Sequence, residues 1–259
     1  MKNYFTIGSL EIHYYGVLMA SAMLIGIFLA FGISERKNIK RESIFDLALI
    51  VLPLAVLGAR TYYCIFSDYH YTFAEFWQIN KGGLAIYGGV IGGFIGVVIF
   101  CLIKKKDIRS VCDVIAPSLI LGQAIGRWGN FINQEAYGYV INNPKWQFFP
   151  VGVEVDGVWH LATFFYESMW NLVVFAVILT IFFKTKSKGT TTAWYLILYG
   201  LGRTVIEGLR TDSLYIGSTG IRVSQALSVV LILCGIGMLI YNLVKNKKTK
   251  VVKSDSNEV

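Results

Sequence analysis

Apolar residues in this chain run in long blocks, and polar residues gather in short clusters between them, without the three- and four-residue alternation of a half-buried helix. A helix needs about 20 mostly apolar residues to cross roughly 30 Å of hydrocarbon. Such blocks fall at about 14 to 33, 45 to 66, 83 to 103, 110 to 126, 163 to 183, 190 to 207 and 222 to 244. They predict seven transmembrane helices in an all-α polytopic membrane protein. The fourth block is short and the sixth carries charge. MKNYFTIGSLEIHYYG, ahead of the first, lacks the pattern of a cleaved signal peptide, so that block is expected to stay in the membrane.

Basic residues set the direction in which the helices run. The first connection holds Arg36, Lys37, Lys40 and Arg41, the third Lys104, Lys105, Lys106 and Arg109, and the fifth Lys184, Lys186 and Lys188. The tail adds Lys245, Lys247, Lys248, Lys250 and Lys253, whereas the even connections hold only Lys81, then Arg127 and Lys145, then Arg210. Because positive charge is retained on the cytoplasmic side, the N-terminus is expected outside and the C-terminus in the cytoplasm. The longest connection, 127 to 162, is then a small extracytoplasmic cap between helices 4 and 5, and its turn formers and short alternating runs fit a hairpin. Residues 1 to 244 read as one membrane domain, and 245 to 259 as a basic, disordered cytoplasmic tail drawn to anionic lipid.

With 55% hydrophobic and 15% charged residues, the composition excludes an ordinary soluble domain, in which about 25% is charged. The net charge of +8 accordingly reads as orientation and lipid contact, and no nucleic acid is expected as a partner. Cys64, Cys101, Cys112 and Cys234 all lie in apolar segments without a C-x-x-C pair or a neighbouring histidine pattern. They are expected to be packing residues, with no metal and no cofactor.

Polar chemistry is concentrated in a few stretches. In YGLGRTVIEGLR, residues 199 to 210, Tyr199, Arg203, Glu207 and Arg210 fall at i, i+4, i+8 and i+11 and form one helical stripe. A charge at the helix centre costs about 2.5 to 3.5 kcal/mol on insertion scales, so the stripe must face the bundle interior. Its one carboxylate against two guanidiniums leaves a surplus positive charge seeking an anion; a plain Arg203 to Glu207 lock is the simpler alternative. GRWGNFINQEAYG, residues 126 to 138, supplies Arg127 as a fork suited to phosphate, Asn130 and Asn133 as donors and acceptors, and Glu135 as the only acid. Gly126, Gly129 and Gly138 let the backbone turn or approach closely; a capped helix end running into a polar loop is the alternative. In KGGLAIYGGVIGG, residues 81 to 93, the glycines fit close helix packing and Tyr87 offers a phenol to a phosphate or glycerol oxygen. Arg60 in GARTYY needs an internal partner. Together these groups point to a bound lipid phosphate.

The same stretches resemble the bacterial prolipoprotein diacylglyceryl transferases. GRWGNFINQEAYG matches that family's G-R-x-G-N-F-x-N-x-E-x-x-G at every fixed position, and YGLGRTVIEGLR resembles its Y-G-x-x-R-x-x-x-E-x-x-R element. GGLAIYGGVIGG, the YYG at 14 to 16, GAR at 58 to 60 and YES at 166 to 168 resemble further family blocks in the same order. The resemblance implies an enzyme of the bacterial cytoplasmic (inner) membrane that moves the diacylglyceryl group of phosphatidylglycerol to the lipobox cysteine of a prolipoprotein signal peptide. Arg127, Asn130 and Glu135 are then implied in the site, with Gly138 structurally required, together with Tyr15, Arg203, Glu207 and Arg210. There are two departures. Tyr87 stands where some members carry histidine, and LATFFYE, Leu161 to Glu167, replaces H-P-x-x-L-Y-E, with His160 one place early.

Phosphate leaves readily only if its charge is met, so Arg203 and Arg127 are expected to neutralise it, Tyr87 and Asn130 to orient the headgroup, and Glu135 and Glu207 to position the arginines. The incoming thiol, with a free pKa of about 8.5, is partly ionised at neutral pH without a dedicated base. A membrane transporter and a non-catalytic binder of anionic lipid are the competing readings. Against a transporter stands the lack of internal repeats.

Overall fold

The computed structural model describes residues 4 to 255 apart from 9, 68, 70, 79 to 81 and 216 to 218. Lys81 and the last four residues of the tail therefore lie outside the described residues. A short antiparallel hairpin, β1 (Tyr4–Ile7) with β2 (Leu10–His13), leads into α1 (Tyr14–Ile33). Then follow α2 (Glu42–Phe66), a single turn α3 (Phe73–Phe76), α4 (Ile86–Ile103) and α5 (Ile108–Ile132). A second hairpin, β3 (Gly152–Val155) with β4 (Val158–Leu161), precedes α6 (Thr163–Lys184), α7 (Thr190–Glu207) and α8 (Val223–Asp255).

Among the described residues six helices are long and apolar enough to cross a membrane: α1, α2, α4, α5, α6 and the first part of α8, at 18 to 25 residues each. Their outward faces are oily, as at Leu49, Leu102 and Leu233, which suits lipid and not water. The protein is a polytopic helical membrane protein. The expected sixth span, α7, is 18 residues long but is not among those six, because it carries Arg203 and Glu207. α8 continues as helix through Asp255, past the expected end of its span at 244.

The fold divides into two compact units, one made of residues 30 to 114 and the other of 1 to 29 with 115 to 259. In the first, α2 and α4 pack along a seam of glycine. A Cβ on Gly88 would fall on the carbonyl oxygen of Gly58, and one on Gly92 on that of Leu54, so only glycine allows the two backbones to come this close. Arg60, 3% exposed, finds its partners in backbone carbonyls: Nε donates to Phe76 O at 2.9 Å, Nη2 to Glu75 O at 2.7 Å, and Nη1 to Gly82 O at 2.8 Å and Gly83 O at 3.0 Å. The guanidinium thereby ties α3 and the approach to α4 onto α2. Lys37, one of the basic residues of the first connection, is buried against Asp113 at 2.9 Å.

The second unit contains α6, α7 and α8 with most of α5. The Trp170 indole donates to Leu198 O at 3.0 Å and fills the space beside Gly202. Ser168 Oγ donates to Ala124 O at 2.8 Å and accepts from the Trp128 indole at 3.2 Å. These polar contacts fix the register of α6 against α5 on one side and α7 on the other. Below them Ile120, Val174, Ile178 and Tyr195 belong to a buried apolar cluster.

Candidate active site

α5 runs on to Ile132, beyond its expected end at 126, so Arg127 and Asn130 are helical and do not begin a loop. Gly126 and Gly129 serve close approach and not a turn. A Cβ on Gly129 would lie 2.5 Å from the Tyr15 ring, and one on Gly126 would lie 3.4 Å from Met19 Sδ, both on α1. The chain turns after Ile132, where Gln134 and Ala136 take positive φ of 52° and 61°.

The register of α6 sets Glu167 between two cations. Its Oε1 lies 2.8 Å from Arg127 Nη2, and its Oε2 accepts from Arg203 Nη1 at 2.9 Å. Arg203 Nη2 also lies 2.6 Å from Glu207 Oε2, one turn along α7. Two guanidiniums thus meet two carboxylates, which corrects the expected surplus of positive charge on the α7 stripe. The balancing acid comes from α6. The lone acid in the apolar block 163 to 183 was the signal that marked it, but its partner depends on tertiary register.

The contacts differ in quality. Arg203 to Glu167 is an aligned hydrogen bond, whereas Glu167 Oε1 and Glu207 Oε2 touch their cations without forming one. The carboxylates are almost wholly buried, at 4% and 2% side-chain exposure, while Arg127 and Arg203 keep 21% and 14%. The open edge of the cluster is therefore cationic. Arg127 Nη1 donates to Asn130 Oδ1 at 3.3 Å, and Asn130 and Asn133 donate in turn to Glu135 Oε1 at 3.1 Å and 3.3 Å. The Tyr199 hydroxyl lies beside the Arg127 guanidinium. Tyr15 lies within the electrostatic reach of both Arg127 and Glu135.

Gly138 sits where three segments cross. Its N–H donates to Leu161 O at 3.0 Å, it bridges Arg210, and a Cβ there would lie 2.7 Å from Leu161 Cβ, 2.8 Å from Leu209 O and 2.9 Å from Thr163 Cγ2. That crowding is the physical reason for glycine. Arg210 leaves the expected stripe, because α7 ends at Glu207. Its fork closes on Asp212 instead, at 2.9 Å and 2.8 Å. That bidentate bond holds the Asp212 carboxyl below the usual carboxylate range. Burial pushes the Arg210 guanidinium down, but the bond to Asp212 and the acid charges around it raise it on balance. Tyr87, in the first turn of α4, belongs to the other unit, where its ring lies 6.3 Å from that of Tyr62. His160 is on β4 with Nδ1 3.2 Å from Gly138 O. All four cysteines are free thiols.

A linked pair of guanidiniums with one partly open edge, on helices of a membrane protein, suits the anionic part of a lipid. Comparison with known proteins agrees. Residues 2 to 241 match the family model described as prolipoprotein diacylglyceryl transferase. The phosphatidylglycerol--prolipoprotein diacylglyceryl transferase of Streptococcus agalactiae serotype Ia is 44% identical over 241 residues, covering 91% of this chain and 93% of that protein. The protein of the same name from Clostridium botulinum is 42% identical over 252 residues, covering 94% and 97%. Transferase 1 of Clostridium perfringens is 41% identical over 254 residues, covering 95% and 96%. The arginine-bearing motifs and a match along nearly the whole chain lead to one conclusion: this protein belongs to the prolipoprotein diacylglyceryl transferase family.

Proposed function

We propose that the chain transfers the diacylglyceryl group of phosphatidylglycerol to the thiol of a prolipoprotein's lipobox cysteine, the first step of lipoprotein maturation. The sulphur attacks the glycerol carbon bearing the phosphodiester oxygen, the carbon–oxygen bond breaks, and glycerol phosphate leaves. The thiol proton ends on the departing phosphate or in solvent. The observation that carries this reading is the run of charges Arg127, Glu167, Arg203, Glu207, drawn from both long motifs and open on its cationic edge.

The phosphate displaces carboxylate from the two contacts that lack hydrogen-bond alignment and takes over the N–H groups of Arg127 and Arg203. Both cations then meet charge that grows as the bond breaks. Glu167 and Glu207 hold the forks in place and receive them again on release. Asn130 and Tyr15 orient the headgroup, with Glu135 fixing Asn130. Arg210 acts through the Gly138 crossing.

In this reading α7 is the sixth of seven spans, and the basic connections support an N-terminus outside the bacterial cytoplasmic membrane. α7 would extend about 27 Å at 1.5 Å per residue, and its charges are met by ion pairs within its own unit. The β3–β4 hairpin then belongs to the extracytoplasmic cap. The test is incubation of the purified protein with labelled phosphatidylglycerol and a lipobox peptide. A thioether lipopeptide with released glycerol phosphate is expected. Lipid retained without turnover supports a binder, and lipid moved across vesicles without lipopeptide supports a transporter.

A further inference from the structure

Three members of the charged cluster, one on each of three helices, have a polar residue one helical turn, about 6 Å, deeper on the same face. Gln123 lies four residues before Arg127 on α5, Asn171 four after Glu167 on α6, and Tyr199 four before Arg203 on α7. The contacts already described pair Glu167 with Arg203, Trp170 with Leu198 and Ser168 with Ala124. α6 therefore runs antiparallel to both neighbours, and Asn171 falls at the level of Gln123 and Tyr199. These three residues form a second polar layer beneath the first, inside one unit of the fold.

Two members of that layer are partnered. Gln123 Nε2 donates to the Tyr195 hydroxyl at 3.1 Å, the Tyr195 and Tyr199 rings stack at 5.7 Å, and Tyr199 lies beside Arg127. Asn171 is not. It is 0% exposed, and among the described residues neither its Nδ2 nor its Oδ1 meets a hydrogen-bond partner. Leaving both ends of a buried amide stranded in this way is costly, because each has given up water without a replacement. Replacing the residue with leucine would remove that cost, so the amide needs a reason to be there. A lipid tail cannot satisfy it, whereas water can both donate and accept in a polar site.

We propose that Asn171 anchors an internal water site that links α6 to the Gln123, Tyr195 and Tyr199 hydroxyl and amide groups, and through Tyr199 steadies Arg127 from beneath. Asn171 is thus a positioning residue, touching neither lipid nor thiol. Its effect on turnover rests on the function proposed above, but the water site does not.

The intact protein in detergent is exposed to a radiolytic pulse in H2(18)O, and label is mapped by mass spectrometry. Bound water labels the side chains it touches, so Tyr195 or Tyr199 takes up label while Ile178 and Phe182, fully buried nearby, do not. Asn171→Leu loses that label, keeps or raises its melting temperature, and shows kcat reduced about fivefold, the worth of one hydrogen bond, with KM for phosphatidylglycerol unchanged. Unlabelled tyrosines in the wild type overturn the water site, as does equal labelling in Asn171→Leu. Labelling that behaves as expected with kcat unaltered overturns the positioning role alone. If the wild type makes no lipopeptide, the function falls and the labelling still decides the water.

Discussion

Glu167→Gln lowers the rate of lipopeptide formation by on the order of a hundred- to a thousandfold. The change is isosteric, so packing of α6 survives, but the one carboxylate shared by Arg127 and Arg203 is lost. Two partly exposed cations are then left with Glu207 as the one carboxylate of the cluster. Removing one partner of a buried ion pair costs about 3 to 5 kcal/mol, and each 1.36 kcal/mol lost from the transition state is about a factor of ten. Part of the cost falls on folding, so the melting temperature drops as well. Turnover is therefore measured on the monodisperse fraction recovered from membranes. A variant that folds and transfers at a near-normal rate removes Glu167 from the mechanism.

Arg203→Lys is the second large effect. Lysine keeps the charge but not the planar fork, and Arg203 uses that fork to reach Glu167 with Nη1 and Glu207 with Nη2 at once. A single ammonium cannot span both and still receive a phosphate oxygen. Loss of one transition-state donor typically costs about 2.7 to 4 kcal/mol, so kcat is expected to fall on the order of a hundredfold with insertion and melting little changed. Release of glycerol phosphate at a near-wild-type rate would take Arg203 off the catalytic list.

Length and oiliness made most helices legible. A run such as Tyr14 to Ile33 is bounded by the bilayer's thickness and recurs as α1 with the same limits. The end of α5 was less so, because Gly126, Gly129 and Asn130 are poor helix formers and common in turns. Their contacts with Met19 and Tyr15 of α1 override local preference. The N-terminal hairpin was not anticipated, because strands of only four residues each carry too little pattern to stand out.

Within the site, residue identity was legible and partnership was not. Arg127, Asn130, Arg203 and Glu207 announce themselves as costly groups in an apolar chain. That Glu167 joins them depends on Trp170 and Ser168 locking α6 in register, a tertiary fact that no single segment contains. Arg210 was misplaced because helical spacing was carried past Glu207, where the helix ends and the chain pairs with Gly138.

The central claim is that phosphate takes over guanidinium contacts that carboxylates hold at rest. A structure of the protein in a lipid nanodisc with bound phosphatidylglycerol tests it most directly. A phosphate oxygen is expected within hydrogen-bond distance of both Arg127 and Arg203, with the Glu167 Oε1 or Glu207 Oε2 contact lengthened. A headgroup bound elsewhere, with all three ion pairs at their resting separations, would contradict it.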